Sequence, residues 1–217
     1  MTVLKIILLA CLSCSNSFAQ KFETVKKRLE IKGENPIDIC KKLKYKYRLD
    51  TVVITNTSYF NSVQDSLSYK GKVGNVYGPY DNGKYAVQLL LTAPNTFTRL
   101  KRINFDTSSM SKNLADTMSN KVLKKIEKKE RTFEEMAKLY NKNEGFGTSG
   151  ELGYCAKGTL QPSLEKLIAK TKQGSVFKYW GNQGVDLIKV IDKDKTDKGY
   201  GLLLVVTLNE KNIVAAR

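Results

Sequence analysis

The order of strand-like and helix-like segments in the second half of the chain constrains its fold most strongly. A strand pattern at Leu100–Phe105 precedes a segment whose apolar residues recur every four positions and predict one helix face, namely Leu114, Met118, Val122 and Ile126. A capping-box pattern at Thr132–Glu135 begins a second helix. The later segments predict a strand at Tyr154-Cys155, a helix at Ser163–Lys170, strands at Ser175–Phe177 and Val185–Ile191, and a last strand at Leu202–Leu208. Up to Ile191, this β-α-α-β-α-β-β order is typical of an α+β fold, with helices packed on an antiparallel sheet.

The first half of the chain predicts fewer elements. A basic, helix-prone stretch covers residues 20–49, with a break at Gly33 and a restart at Asn35-Pro36, an N-cap followed by a proline at the first helical position. A strand at residues 52–54 and a hairpin over residues 73–91 follow. Pro94-Asn95-Thr96 then predicts a domain boundary.

Glycines mark a loop in the second half. Gly145, Gly147 and Gly150 permit positive φ where the chain must turn sharply, and Gly153 lets the backbone turn into the next strand. An ordinary surface loop would not require the apolar Leu152 between glycines. We therefore expect this loop to border a binding groove.

Three segments of the second half carry a family resemblance. Phe133–Tyr140 has the form F-x-x-M-A-x-x-Y, Gly150–Pro162 has the form G-x-L-G-Y-x-x-x-G-x-x-x-P, and the segment Gly184–Val190 is G-V-D-L-I-K-V. With this order and spacing, residues 99–192 resemble the parvulin-type (PpiC, rotamase) peptidyl-prolyl cis-trans isomerases. The corresponding family patterns are F-x-x-L-A-x-x-Y, G-[GD]-x-L-G-[WY]-x-x-x-G-x-x-x-P and G-Y-H-I-I-K-V.

The resemblance implies a site with an apolar pocket for the prolyl ring and a polar floor that the family builds from two histidines and a nearby Asp or Cys. The pocket positions match Leu152, Leu160 and Leu164, and the catalytic positions match Arg102, Asn143 and Asp186. Arg102 and Asp186 then replace the two histidines, either as a solvent-facing pair or as a salt bridge across adjacent strands. Arg102 could also donate to a substrate carbonyl. The resemblance implies no cofactor and no metal.

The glycine spacing of the first half of the sequence resembles that of the second half. Gly74–Tyr77 followed by Gly83–Val87 parallels Gly174–Phe177 followed by Gly184–Leu187. Residues 34–93 therefore resemble a truncated parvulin unit without its first strand and long helix, as in tandem periplasmic parvulin chaperones, although two unrelated hairpins would give the same pattern. We predict a signal peptide at residues 1–19, a degenerate parvulin-like region at 20–96, a parvulin-like domain at 97–208 and a tail at 209–217.

Composition excludes several functions. None of the 217 residues is histidine, which rules out Ser-His-Asp triads, Cys-His nucleophiles and histidine-ligated metal sites. The formal net charge is +16 at pH 7. Because the basic residues are scattered over predicted helix faces without a stacking aromatic array, we expect no nucleic-acid partner. Anionic membrane surfaces or acidic client polypeptides fit this charge better.

The N-terminus predicts export. Lys5, the apolar run Ile6–Leu12 and Ser17-Phe18-Ala19 have the pattern of a secretory signal cleaved before Gln20. The run is too short to span a bilayer, which needs about 20 residues. A lipoprotein signal acylated at Cys11 and an N-terminal core strand are the alternatives. We expect a periplasmic protein in which Cys40 and Cys155 remain and are not bonded to each other, since buried free cysteine is common.

These patterns predict an exported peptidyl-prolyl isomerase-like folding factor that binds unfolded or extended client polypeptides. Its catalysis is expected to be weak because the histidines are absent. A fully active isomerase is one alternative. A non-catalytic subunit of an outer-membrane protein export or assembly complex is another, and peripheral contact with the membrane is compatible with the charge.

Overall fold

The computed structural model of the chain describes residues 19–141 and 149–208. Helix α1 covers residues 19–29. The other helices are α2 (Pro36–Lys42), α3 (Val63–Lys70), α4 (Lys112–Glu127), α5 (Phe133–Tyr140) and α6 (Pro162–Lys170). The strands are β1 (Tyr47–Val53), β2 (Val76–Tyr80), β3 (Tyr85–Asp106), β4 (Glu151–Ala156), β5 (Val176–Gly181) and β6 (Gly184–Thr207). Helices packed on antiparallel strands confirm the predicted α+β fold.

The chain forms two compact units. Within the described residues, unit 1 consists of residues 19–54, 61–93 and 200–208, and unit 2 of residues 55–60, 94–141 and 149–199. Strands β3 and β6 each contribute one half to each unit. None of the described helices is long and apolar enough to cross a membrane.

Unit 2 contains the elements of the predicted parvulin-like domain. Its strands lie in the order β4-β3-β6-β5. Helices α4 and α5 cover one face of this sheet, where Ile103, Val122 and Phe133 are fully buried in one cluster. Helix α6 covers the other face, where Ile168 packs with Leu100.

Unit 1 repeats this arrangement. Its strands lie in the order β2-β3-β6-β1, with α1 and α2 on one face and α3 on the other. The two hairpins also share their entry hydrogen bonds, since Gly74 N donates to Leu89 O and Gly174 N donates to Val190 O, both at 2.7 Å. The two units therefore have the same sequence of helices and hairpin, although their opening strands come from different parts of the chain.

The structure of unit 1 corrects the expectation that this unit lacks its first strand and its long helix. Residues 200–206 of β6 pair with β1 and occupy the place of the opening strand that was expected to be absent. Helix α1 packs Val25 and Leu29 in the unit 1 core, on the sheet face where unit 2 carries its long helix α4. A local sequence pattern could not show this, because the completing strand lies more than a hundred residues away along the chain.

The unit boundaries also differ from the predicted segments. Pro94 lies inside β3, which is one strand of 22 residues rather than two strands separated by a break. The predicted domain at 97–208 ends at Gly199 in the structure, because the following residues pair with β1. Residues 55–60 join unit 2 through bonds to β4, including Ala156 N to Thr55 O at 2.8 Å.

A partly buried group of charged side chains links helix α5 to the sheet. The carboxylate of Glu134 accepts hydrogen bonds from Lys101 Nζ at 2.9 Å and from Lys189 Nζ at 3.1 Å. These lysines lie on the neighbouring strands β3 and β6. Partial burial acts to raise the pKa of Glu134, but the hydrogen bonds from Lys101 and Lys189 outweigh it and lower the pKa to about 2.

This cluster predicts an acid-sensitive contribution to stability. The folded-state pKa of Glu134 lies below the ordinary value of 4.5, so the contribution is complete above pH 4.5 and is lost as the pH falls towards 2. Because the side chain is 37% exposed, solvent screening limits the contribution to about 1 kcal/mol. We expect Glu134→Gln to lower the free energy of unfolding at pH 7 and to match the parent at pH 2. A constant difference between these two pH values would contradict the assignment.

Candidate functional site

The α6 face of the unit 2 sheet gathers the predicted site residues. Successive strand residues point to opposite faces. Leu100 on β3 and Ile188 on β6 belong to the cluster under α6, so Arg102 and Asp186, each two residues away, point to the same face. Leu152, Leu160 and Leu164 are half-buried and pack against this cluster. The structure therefore places the described members of the predicted site on one face of the unit 2 sheet, while Asn143 lies outside the described residues.

Asn104 adds an amide to the polar floor. It lies two residues beyond Arg102 on β3, and its Nδ2 donates to Asp186 Oδ1 at 2.7 Å. Sequence reasoning missed Asn104, although its position on the same face as Arg102 follows from strand alternation. The ion pair predicted between Arg102 and Asp186 stays a prediction.

Asn141 holds the strand segment that carries this floor. It is the C-cap of α5, is 2% exposed, and donates from Nδ2 to Arg102 O at 2.7 Å. Its Oδ1 accepts a hydrogen bond from Asn104 N at 3.3 Å. The sequence signal for this residue was its place directly after the motif helix, two positions before the predicted Asn143. Asn141 is a positioning residue, since these bonds go to strand backbone.

Gly150 allows the loop to approach the same segment. Its φ is +69°, and its carbonyl oxygen accepts a hydrogen bond from Arg102 N at 2.7 Å. A Cβ at this position would clash with the carbonyl oxygen of Arg102 and would lie 2.9 Å from Asn141 Nδ2. The predicted sharp turn at Gly150 agrees with this geometry, the groove beside it stays a prediction, and Gly145 and Gly147 lie outside the described residues.

Tyr179 connects the floor with the start of α6. It lies on β5, pairs with Asp186 on β6 and is 8% exposed. Its hydroxyl lies 2.9 Å from Ser163 Oγ and also donates to Gln161 Oε1. Sequence reasoning missed this tyrosine. It fixes the beginning of the helix that carries Leu164.

A cavity of about 180 Å³ opens on this face. Leu160, Ile168 and Cys155 form its apolar part, and Thr96, Thr98 and Lys193 are among its polar lining. Of the three predicted pocket leucines, Leu160 lines this cavity and the other two do not. Leu152 and Leu164 pack against the apolar cluster under α6 instead. The volume suits one apolar side chain.

The two described cysteines are buried thiols. Cys40 and Cys155 are both free and buried. Burial raises the pKa of each thiol to about 11, so both are neutral at pH 7. The described residues also contain no cluster of three potential metal ligands among Cys, Asp and Glu.

Comparison with known families decides the identity of this domain. The family model described as the PPIC-type PPIase domain matches residues 86–194, half of the chain. The chain belongs to the PPIC-type peptidyl-prolyl isomerase family. The matched residues include β4, α6, β5 and the strand positions of the polar floor, so the predicted family is confirmed. No curated protein sequence matches the chain.

Solved structures similar to this PPIC-type chain include two PrsA proteins and an isolated domain. The peptidylprolyl isomerase PrsA from Bacillus anthracis is 23% identical, with 46% of this chain and 43% of that chain covered and a TM-score of 0.37. A PpiC-type isomerase domain is 19% identical, with 48% and 94% covered and a TM-score of 0.40. PrsA from Bacillus subtilis is 25% identical, with 46% and 36% covered and a TM-score of 0.35. The match therefore spans less than half of each PrsA chain.

Proposed function

We propose that this PPIC-type chain is an exported folding factor that binds extended client segments in unit 2 and has little or no isomerase activity. The observation that supports client binding is the common face of Leu152, Leu160 and Leu164 with the polar floor at Asp186. Half-buried leucines leave apolar surface for a ligand. The amide and carboxylate beside them can orient a peptide backbone.

Binding in this groove should be weak and permissive. Burying one client side chain contributes about 1.5–3 kcal/mol, and a few backbone hydrogen bonds add about 1 kcal/mol each. Together these interactions support a Kd of about 0.1–1 mM. Leu164 stands at the pocket position where the parvulin resemblance implies a phenylalanine. Because leucine is smaller, the groove has more room and should accept prolyl, aromatic or aliphatic side chains.

The binding proposal predicts the effect of a charge in the groove. Leu160→Asp should abolish peptide-induced shifts in ¹H–¹⁵N NMR spectra of the full chain, because a carboxylate facing the apolar part of the cavity would lose hydration when a client side chain entered. Leu167→Asp is the matched control, since Leu167 lies on α6, the helix that follows Leu160, and is 39% exposed. Shifts that persist in a folded Leu160→Asp protein would contradict a client site in unit 2.

Export is the second part of the proposal. The pattern at residues 1–19 supports cleavage before Gln20 and release into the periplasm. Mass spectrometry of the protein from envelope fractions should find Gln20 as the first residue. A lipid-modified Cys11 at the N-terminus would show membrane anchoring instead.

Pull-down from envelope extracts distinguishes a folding factor from a fixed subunit of an export or assembly complex. A client-binding factor should retain many substoichiometric polypeptides. Retention of one stoichiometric partner set would contradict the folding-factor proposal.

A further inference from the structure

Unit 1 has a residue-by-residue counterpart of the unit 2 polar floor. In the β2-β3 hairpin, Tyr80 pairs with Tyr85, and in the β5-β6 hairpin, Tyr179 pairs with Asp186. Val76 pairs with Gln88 as Val176 pairs with Lys189, and the register shift of the first ladder lies on β2, between Tyr77 and Tyr80. On β3, Tyr85 is thus two residues from Val87, as Asp186 is two residues from Ile188 on β6. Tyr85 therefore occupies in unit 1 the place of Asp186.

The central strands give the other two positions. Leu203 on β6 lies in the cluster under α3 and pairs with Asp50, as Leu100 on β3 lies in the cluster under α6 and pairs with Gly153. The floor positions lie two and four residues farther along each strand. Val205 and Thr207 thus occupy the places of Arg102 and Asn104.

These residues line a cavity of about 310 Å³ in unit 1, which we name the unit 1 groove. Its floor consists of Tyr85, Val205 and Thr207, and its rim of Lys46, Arg48, Lys84 and Asp81. Polar and apolar groups are distributed differently from those at the polar floor of unit 2. Here the floor is aromatic and apolar, whereas three cations and one carboxylate stand at the edge.

The rim cations are accessible to a ligand. Lys84 Nζ lies 2.9 Å from Asp81 Oδ2, with side chains 60% and 50% exposed. Arg48 Nε lies 3.0 Å from Asp50 Oδ1. Exposed pairs of this kind contribute only about 0–1 kcal/mol, so a ligand carboxylate can compete for the cations. The three cations against one lining carboxylate favour an anionic ligand.

We infer that the unit 1 groove binds an extended polypeptide segment that places a carboxylate beside an aromatic or apolar side chain. The apolar side chain lies on Tyr85 and Val205, and the carboxylate meets Lys84 and Arg48 at the rim. A concave cavity with an apolar floor fits a side chain better than a flat membrane surface. This site lies in a different unit from the proposed client groove, so the chain would hold two segments of different chemistry.

The test uses the full chain and two fluorescein-labelled, proline-free heptapeptides. One alternates glutamate with tyrosine and valine, and the other carries lysine in place of each glutamate. We expect the acidic peptide to bind at least about fivefold more tightly than the basic one. Lys84→Glu and Tyr85→Asp should each weaken the acidic peptide about fivefold or more, the second by installing the residue that unit 2 carries. Lys27→Glu on α1 is the control and should leave binding within about twofold, since α1 packs on the opposite face of the unit 1 sheet.

The outcomes separate this site from the one in unit 2. Leu160→Asp should leave binding of the acidic peptide unchanged, even if it abolishes client binding in unit 2. Loss of acidic-peptide binding in Leu160→Asp, or equal losses in Lys84→Glu and Lys27→Glu, would overturn the inference. Binding of the chain to phosphatidylglycerol vesicles that depends on Lys84 and Tyr85, without binding of either peptide, would also overturn it in favour of a membrane contact.

Discussion

Replacement of Gly150 by alanine should destabilise unit 2 by about 3–4 kcal/mol, measured as the free energy of unfolding in urea. A non-glycine residue at φ +69° costs about 1–2 kcal/mol. The added Cβ would also clash with the Arg102 carbonyl oxygen, and it would crowd Asn141 Nδ2. Relief of the clash would stretch the hydrogen bonds from Arg102 N to Gly150 O and from Asn141 to Arg102 O. A strained backbone and two weakened buried bonds together give the expected loss.

Gly158→Ala is the matched control for this substitution. Gly158 also has positive φ, +89°, but a Cβ there would meet nothing within 4 Å. Its cost should therefore be about 1–2 kcal/mol, the backbone penalty alone. Equal losses in the two variants would show that the contact of the Gly150 loop with Arg102 contributes nothing to stability.

Elements fixed by local signals were predictable from the sequence. The capping box of α5 is present, with Thr132 Oγ1 accepting from Glu135 N and Glu135 Oε2 accepting from Thr132 N. Asn35 caps α2 as expected, because its side chain accepts from Ile37 N at 2.9 Å. Such signals involve residues within one turn of each other. Sequence alone therefore specifies them.

Helix α3 shows where local signals are too weak. Its sequence, VQDSLSYK, contains no stripe of large apolar residues. What places it is contact with the sheet, where Ser68 is completely buried and packs so closely on Gly201 that any side chain at position 201 would clash. That partner lies on β6, more than 130 residues later. A pattern search within the helix cannot supply it.

The candidate site was predicted in part for the same reason. Leu152, Leu160 and Asp186 lie in motif segments whose spacing could be matched directly, and Leu164 follows two residues after one of these segments. Asn104 and Asn141 became visible only when β3, β6 and the end of α5 were brought together, because an asparagine side chain has no pattern that separates a surface amide from a buried one. The predicted boundary at 208 differed for a related reason, since Leu203 and Leu204 predict a strand without showing which strand it joins.

The full chain should not accelerate the rotation of X-Pro bonds in a test peptide by more than about tenfold over the uncatalysed reaction, which takes tens of seconds. The barrier of about 18–20 kcal/mol is the resonance lost when the amide twists. As it twists, the nitrogen gains a lone pair and the carbonyl oxygen loses negative charge. A catalyst must therefore favour the twisted amide, through a donor to that nitrogen or an apolar environment for the less polar carbonyl.

We expect the polar floor of unit 2 not to supply a donor to that nitrogen. An ionised Asp186 carboxylate only accepts hydrogen bonds, and Asn104 Nδ2, a neutral donor on this floor, already donates to it at 2.7 Å. An Arg102 guanidinium that donated to the substrate carbonyl would stabilise the planar amide at least as well as the twisted one. Binding of both states equally does not raise the rate.

Protease-coupled and NMR exchange assays should therefore give the same low rate for the parent, Asp186→Ala and Arg102→Ala, with peptide binding through the leucines still detectable. Leu160→Asp provides the baseline, because any rate that survives loss of the client groove comes from outside it. A parent rate orders of magnitude above that baseline, abolished by Asp186→Ala, would show that a carboxylate and an amide can replace the two imidazoles. The charged floor would then be a catalytic variant of the family. Without such a rate, our proposal of a client-binding groove with little or no isomerase activity stands.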